Sequence, residues 1–291
     1  MSTSRGAALV TGTSTGIGRS TALALHDAGF AVYATARRES AVSDLADRGL
    51  RTRALDVTDE AQMTAVVREV EDEHGFVSLL VNNAGYSLYA PVETADPAAV
   101  RAQFETNVFG LVRLVQLVLP AMRAARTGRI VNVSSMGGRI TFPAGAFYHA
   151  SKHAVEAITD ALRLEVAPFG VKVVLIQPGP VRTQFLDNAA DGVAADVDAG
   201  HDSSTSDDPY AEFMAEADRS NRSAYSGGAY ARFALGTEAV ARTIVTAATS
   251  DHPRPRYAVG LVARSLMTTR RLLPDQAWDA FIRSQYPTPR R

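Results

Sequence analysis

The 291-residue chain contains no cysteine. This excludes disulfide frameworks, thiolate nucleophiles and Cys-ligated zinc or iron-sulfur centres, and it suits a reducing cytoplasmic setting. Lysine is nearly absent as well: Lys152 and Lys172 stand alone, and arginine supplies the remaining basic residues. Neither sign of charge is in excess, since 30 Lys and Arg face 31 Asp and Glu for a formal net charge of -1. A balanced chain has no global field for nucleic acid, so none is expected as a partner. Long apolar runs are missing too. The stretch Leu111 to Met122 is broken by Arg113, Gln116 and Pro120, falls short of the roughly 20 residues a membrane span needs, and reads as a core helix. Met1 to Gly6 carries no charged segment followed by an apolar one, so no signal peptide is expected.

What is present is a globular composition, 46% hydrophobic and 21% charged, able to bury a large core. Short β-branched runs alternate with helical stretches, the pattern of βαβ units and a parallel sheet covered on both faces. Strands are expected at Ala7 to Thr11, Ala31 to Ala36, Thr52 to Asp56, Leu79 to Asn82, Ile130 to Ser134, Val171 to Gln177 and Tyr257 to Val259. Asp59 to His74 places Met63, Val66, Val67 and Val70 at helical spacing, with Thr58 as its N-cap. Regularity fails between Gln184 and Gly236, an acidic stretch in which Tyr210 to Asp218 turns helical. Long irregular insertions of this kind are functional lids or disordered segments, and one placed after a late strand can close over a site. The spacing Asp196-x-Asp198-x-Gly200 hints at calcium but lacks the rest of a binding loop, so no metal is expected.

After the first strand comes Gly12-Thr13-Ser14-Thr15-Gly16-Ile17-Gly18, then a helical run. A turn poor in Cβ atoms lets backbone N-H groups reach a pyrophosphate, and the following helix points its positive end at the same anion. The second strand ends Ala36-Arg37-Arg38, where the general fingerprint has an acid that accepts the ribose hydroxyls. Guanidinium groups there favour a 2′-phosphate, hence NADP(H) over NAD, although two arginines also make an ordinary solvated loop. Asp56, next to Val57, reaches the same sheet edge, either to accept from adenine's amino group or to cap the following turn.

Four further elements converge on that edge: Asn82-Asn83-Ala84-Gly85, Asn107 in a helix, Ser134-Ser135, and Tyr148-x-x-x-Lys152. Residues four apart share a helix face, so the ammonium can lie near the phenol and favour its phenolate, bringing it towards acid/base use. With two lysines in the chain, one falls at this place by composition alone less than about once in a hundred. The constellation resembles the short-chain dehydrogenase/reductase family in its single-domain form, in order from the glycine turn to Pro178-Gly179. The resemblance implies a Rossmann-type, doubly wound α/β fold with a seven-stranded parallel sheet. Residues 1-291 would form one domain, with 184-236 as a substrate lid and 261-291 as a C-terminal extension. It also implies a catalytic set of Asn107, Ser135, Tyr148 and Lys152. Lys152 would bond the nicotinamide ribose, Ser135 the substrate oxygen, and Asn107 would support a water relay to Lys152. Ser135 is preferred to Ser134 because it stands thirteen residues before Tyr148, the separation usual in the family, though the two are exchangeable on sequence alone. Cofactor contacts are implied for Gly12, Ser14, Thr15, Gly16, Ile17, Gly18, Arg37, Arg38, Asp56, Val57, Asn83, Ala84, Gly85, Tyr148, Lys152, Pro178, Gly179, Val181 and Thr183, and so is a homodimer or homotetramer.

The segments flanking this site are apolar or aromatic, among them Tyr86, Leu88, Tyr89, Met136, Phe142 and Phe147, about half of which should be core. They suit a hydrophobic ketone or aldehyde interconverted with its alcohol. A softer likeness, to bacterial relatives of 17β-hydroxysteroid and retinol dehydrogenases, rests on Arg256 to Gly260 and Arg270 to Pro274. The arginine-rich tail also admits membrane-surface attachment, with packing on the body or on a partner subunit favoured. His149 and His153, four apart, form a metal-like pair without a third ligand, and Ser135 lacks the G-x-S-x-G elbow of a hydrolase. The competing reading is a non-catalytic NADP(H)-binding sensor or scaffold.

Overall fold

The computed structural model describes residues 5-183, 209-226 and 233-285. Its sheet comprises β1 (Ala7–Thr11), β2 (Ala31–Ala36), β3 (Arg51–Ala54), β4 (Val77–Asn82), β5 (Gly128–Val133), β6 (Val171–Pro178) and β7 (Arg256–Val259). All pairings are parallel, in the order β3-β2-β1-β4-β5-β6-β7. This is the doubly wound arrangement expected from the alternating sequence. The helices are α1 (Gly16–Asp27), α2 (Glu60–His74), α3 (Pro97–Phe104), α4 (Gly110–Ala125), α5 (Ala146–Val166), α6 (Ala211–Ser226), α7 (Thr237–Thr249), α8 (Leu261–Leu272) and α9 (Asp275–Gln285).

The strands are apolar nearly throughout because both faces of the sheet are covered. Successive side chains alternate between faces. Leu9, Leu80, Ile130 and Leu175 therefore enter one core with residues of α2, α4 and α5. Val10, Val81, Val131 and Ile176 enter the other, with Ala22 and Leu25 of α1 and Val240 and Ile244 of α7. The stretch Pro97–Ala125 is long and apolar enough to cross a membrane by length and composition. Yet Leu111, Leu114, Val115, Val118 and Met122 are buried against the sheet, so it is a core helix.

One local expectation is corrected. The N-cap of α2 is Asp59, not Thr58: the Asp59 carboxylate accepts from the N-H groups of Ala61 and Gln62 at 2.9 and 3.0 Å. Thr58 is occupied otherwise, its N-H and hydroxyl both donating to Asp56 Oδ1. Asn107 lies in a helix, as expected, but not in a regular α-helix. It sits in a π-helical turn, Glu105–Phe109, between α3 and α4, a widening that frequently marks functional sites.

Of the expected lid, 184-208 and 227-232 lie outside the described residues, and the Asp196 and Asp198 spacing falls there. Within α6, Phe213 and Ala217 are buried against Ala144, with Tyr89, Tyr210 and Met214 around them. The C-terminal α8 and α9 place Trp278 and Ile282 on Ile140, joined by Met136, Phe142, Leu266, Met267 and Leu273. Leu266, Met267, Leu273, Trp278 and Ile282 of the tail thus pack on the body, while Leu261 and Leu272 stay exposed.

Candidate active site

The glycine turn follows β1 and leads into α1. Gly12 and Gly16 adopt φ of +69° and +60°, left-handed backbone that favours glycine. A methyl on Gly18 would collide with the Gly12 carbonyl and the Asn83 side chain, so close helix-to-turn packing requires glycine there. Thr15 precedes α1 in extended backbone without a side-chain cap, and no acid stands in the first turn. The N-H groups and positive end of the helix are left for an anion. Ser14 is partly exposed at the tip and Ile17 packs at the edge of the α1-side core. This cradle fits a dinucleotide pyrophosphate.

Thr11, which sequence reasoning passed over, fastens the turn to the next strand end. Its hydroxyl accepts from the N-H groups of Asn83 and Ala84, both at 3.0 Å. The Asn83 amide in turn donates to the carbonyls of Thr11 and Gly12 at 2.9 and 3.0 Å. A polar residue immediately before the glycine turn is the sequence signal for this clasp. Asn83 and Ala84 thereby act first as scaffold.

Arg37 and Arg38 follow β2 at the C-terminal sheet edge, exposed and in no ion pair among the described residues. Arg37 lies near enough to Tyr86 to oppose the upward push that burial exerts on that phenol. Asp56 makes the turn-capping bonds to Thr58, which bears out its local role. The Val57 carbonyl lies against Gly110, where a side chain would clash. On the other side, Gly179 N-H donates to Val259 O at 3.0 Å beyond Pro178. Val181 bridges to Leu235, and Thr183 Cγ2 would lie 3.3 Å from a Cβ built on Gly16. The segment 178-183 thus closes against the glycine turn.

The chemical groups come from α5 and its neighbours. Tyr148 and Lys152 are both buried. Ser135 is partly exposed and its Oγ accepts from Gly137 N-H at 3.0 Å, while Ser134 is buried. Burial pushes the Tyr148 phenol above its usual range, and a hydrogen bond with Ser135 pulls it back. Of the two serines, Ser135 is therefore the one that meets the tyrosine. Lys152 Nζ donates to Val133 O at 3.0 Å and lies 6.0 Å from the centre of the Tyr148 ring. Burial pulls its ammonium down to about 8, with Glu156 acting in the opposite direction. Burial is the largest influence on both groups, so the cation placed near the phenol does not by itself bring it to its phenolate.

Asn107 is buried and fully engaged. Its Nδ2 donates to Tyr86 O at 2.8 Å and Ser151 Oγ at 3.0 Å, and its Oδ1 accepts from Tyr86 N-H at 3.0 Å. A Cβ on Gly85 would lie 2.9 Å from Asn107 Oδ1 and 3.6 Å from Lys152 Nζ, so Gly85, Asn107 and Lys152 form one cluster. His149 Nδ1 donates to Gly137 O at 3.2 Å and His153 Nδ1 to His149 O at 2.8 Å. His149 therefore supports the Ser135 turn. Two more residues escaped the sequence reading: Ala144, whose φ of +62° is left-handed in the loop before α5, and Glu156, one helical turn after Lys152.

A short chain dehydrogenase family model matches residues 6–194. An uncharacterized oxidoreductase of Escherichia coli K12, YbbO, is 35% identical over 275 residues, 94% of this chain and 93% of its own length. An NADPH-dependent 3-dehydrocapnine reductase of Ornithobacterium rhinotracheale is 32% identical over 281 residues, 94% of each chain. Among solved structures, a short-chain dehydrogenase from Streptomyces avermitilis superposes with a TM-score of 0.77 at 31% identity, covering 98% of this chain and 97% of that one. Two further structures carry nucleotides. One from Burkholderia cenocepacia holds NADP, with TM-score 0.72, 25% identity and coverage of 97% and 99%. One from Burkholderia phymatum holds NAD, with TM-score 0.76, 25% identity and coverage of 100% and 99%.

Proposed function

The chain belongs to the short-chain dehydrogenase/reductase family of oxidoreductases, and on that premise we propose that it interconverts a hydrophobic ketone or aldehyde and its alcohol with NADP(H). The observation that carries this reading is the meeting of Ser135 and Tyr148 beside buried Lys152, at the sheet edge that also bears the glycine cradle. NADP(H), when bound, supplies or takes the hydride at the carbonyl carbon. Gly12 to Gly18 would hold its pyrophosphate and Arg37 with Arg38 its 2′-phosphate. Such pairing supports NADP(H), as does the relative named for NADPH dependence.

Tyr148 gives a proton to the substrate oxygen in reduction and takes it back in oxidation. Burial favours the protonated phenol, the form that donates. Ser135 donates a hydrogen bond to the same oxygen, and Gly137 N-H together with His149 keeps its hydroxyl in place. Lys152 supplies positive charge beside the phenol as it loses its proton. The loop before α5 borders a hollow of about 560 Å³ in which Ile140, Phe142, Trp278 and Ile282 stand beside Arg139, His153, Arg270, Asp279 and Arg283. Ser135, Tyr148 and Lys152 do not line it, so the apolar substrate is inferred instead from Tyr86, Tyr89, Met136 and Phe142, which flank the reacting residues in sequence.

The test is loss of NADPH absorbance with a panel of bulky ketones, run beside Tyr148→Phe. Turnover that falls at least about a hundredfold in the variant, with cofactor binding retained, is expected for a lost general acid. Cofactor binding without turnover across the panel would replace this proposal with that of a redox sensor.

A further inference from the structure

Lys152 poses a physical problem. An ammonium enclosed by protein loses its hydration, and the charged form must find compensation within the fold. Its recorded hydrogen bond, to the Val133 carbonyl, offers a dipole and no counter-charge. Near it stand the Tyr148 ring, centred 6.0 Å from Nζ, and the Asn107 amide, which shares the space beside Gly85 with Nζ; both are uncharged.

One carboxylate stands on the same face of α5, one turn further along: Glu156, which is buried. Both of its oxygens are fixed from the neighbouring strands. Gln177 Nε2, from β6, lies 2.9 and 3.0 Å from Oε1 and Oε2. Arg256 Nε, from β7, donates to Oε2 at 3.1 Å. Arg256 also pairs with Asp160, which pairs with Arg163 at 2.7 Å. From solvent to active site the charges alternate: Arg163, Asp160, Arg256, Glu156, Lys152. Gly138 makes room for the inner end, since a side chain there would press on Glu156 Cγ and the Lys152 carbonyl at 2.9 and 3.0 Å.

We propose that Glu156 is a positioning residue for the active site, the buried counter-charge of the Lys152 ammonium, itself oriented by Gln177 and Arg256. A carboxylate held only to satisfy Arg256 would need no burial, because Asp160 already serves that guanidinium nearer to solvent. Glu156 and Lys152 stand one turn apart on the buried face of α5 without a direct ion pair, and Glu156 is the charged group that acts on Lys152 through space, raising it against burial. β7 thereby reaches the catalytic lysine through a single side chain. The importance of Lys152 for turnover rests on the function proposed above, whereas the electrostatic link itself does not.

The composition provides the test, because the chain has two lysines. Full-length protein labelled with 13Cε-lysine gives two side-chain resonances, assigned by Lys172→Arg, and each titrates separately. Lys172, half-buried with Nζ on the Asp251 carbonyl, is the internal reference. Lys152 is expected to titrate near about 8. Glu156→Gln, which keeps the shape and an acceptor for Gln177, should lower that midpoint by about one pH unit or more and leave Lys172 unmoved. Arg256→Gln removes the competing cation and should move it upward. Structural damage alone has no reason to shift the midpoint in opposite directions in the two variants. An unchanged Lys152 in folded Glu156→Gln overturns the proposal. If Glu156→Gln does not fold, Arg256→Gln decides alone, and a midpoint that stays or falls overturns it. The titration needs no substrate, so it stands or fails independently of the NADPH assay.

Discussion

Acid should weaken the fold through one identifiable histidine. Burial drives His149 down from 6.5 to about 4, because the imidazolium would be enclosed among Gly137, Gly145 and Phe142. Nδ1 donates to Gly137 O, so the ring is held as the neutral Nδ1-H tautomer. Between about 6.5 and 4 the unfolded chain binds a proton that the folded chain refuses, so stability rises with pH across that window and is lost on acidification. Integrating the two values puts the loss at about pH 4.5 near 2.5 kcal/mol, a large share of a typical folding free energy. The assay is urea unfolding of wild type and His149→Asn from about pH 7 to pH 4.5; asparagine keeps a donor towards Gly137 but does not titrate. The variant is expected to lose stability less steeply, by about 2.5 kcal/mol over that interval. Parallel pH dependences for the two proteins would refute the reasoning. Because the folded His149 stays neutral until about pH 4 and Gly137 N-H donates to Ser135 Oγ, the Ser135 turn should hold through most of that window and loosen only at its acid end.

Other expectations follow from the site. Arg37→Asp should move cofactor selectivity towards NAD by at least about tenfold, measured as the ratio of dissociation constants for the two nucleotides, since a carboxylate repels the 2′-phosphate. Ser135→Ala should cost far more turnover than Ser134→Ala, on the order of a hundredfold, and equal losses would contradict the assignment of Ser135. Gly18→Ala should weaken nucleotide binding, read by titration calorimetry, at a packing cost of about 1–3 kcal/mol, because its methyl meets the Gly12 carbonyl. Exposed Phe109 and Leu164, 54% and 73% accessible, fit burial in a homodimer or homotetramer. Sedimentation of Leu164→Glu at lower mass than wild type would support that arrangement, and a monomeric wild type would remove it.

Much of the fold was legible because strand residues buried on both faces are apolar without interruption, as in β1 and β4, and because glycine, asparagine and proline mark the strand ends. Strand positions came within about two residues for that reason. The caps were harder. Thr58 and Asp59 are both good N-cap types, and only the competing demand of Asp56 for Thr58 decides between them. The π turn at Asn107 leaves no periodic signal, since one widened turn inside a long helix does not disturb the apolar stripe on either side. Lys152 was conspicuous through the rarity of lysine, whereas Glu156 was hidden among many glutamates. Its meaning arises from Gln177 and Arg256, which stand 21 and 100 positions away in sequence and meet it only when β6 and β7 pair.

The desolvation of Tyr148 and Lys152 explains why this site needs support from so far away. Removing water from the phenol favours its protonated form, which suits the proton donor proposed for it. The same enclosure acts on the lysine in the unwanted direction, from 10.5 to about 8, a cost to folding of about 3 kcal/mol at neutral pH that is relieved as pH rises past 8. A drier pocket would improve the tyrosine and discharge the lysine; a wetter one would do the reverse. Two groups with opposite charge chemistry cannot both be tuned by burial, so the second must be tuned by a charge placed behind it. That requirement, more than the reaction itself, gives a reason for a buried carboxylate at Glu156 and for an arginine reaching across from the far edge of the sheet.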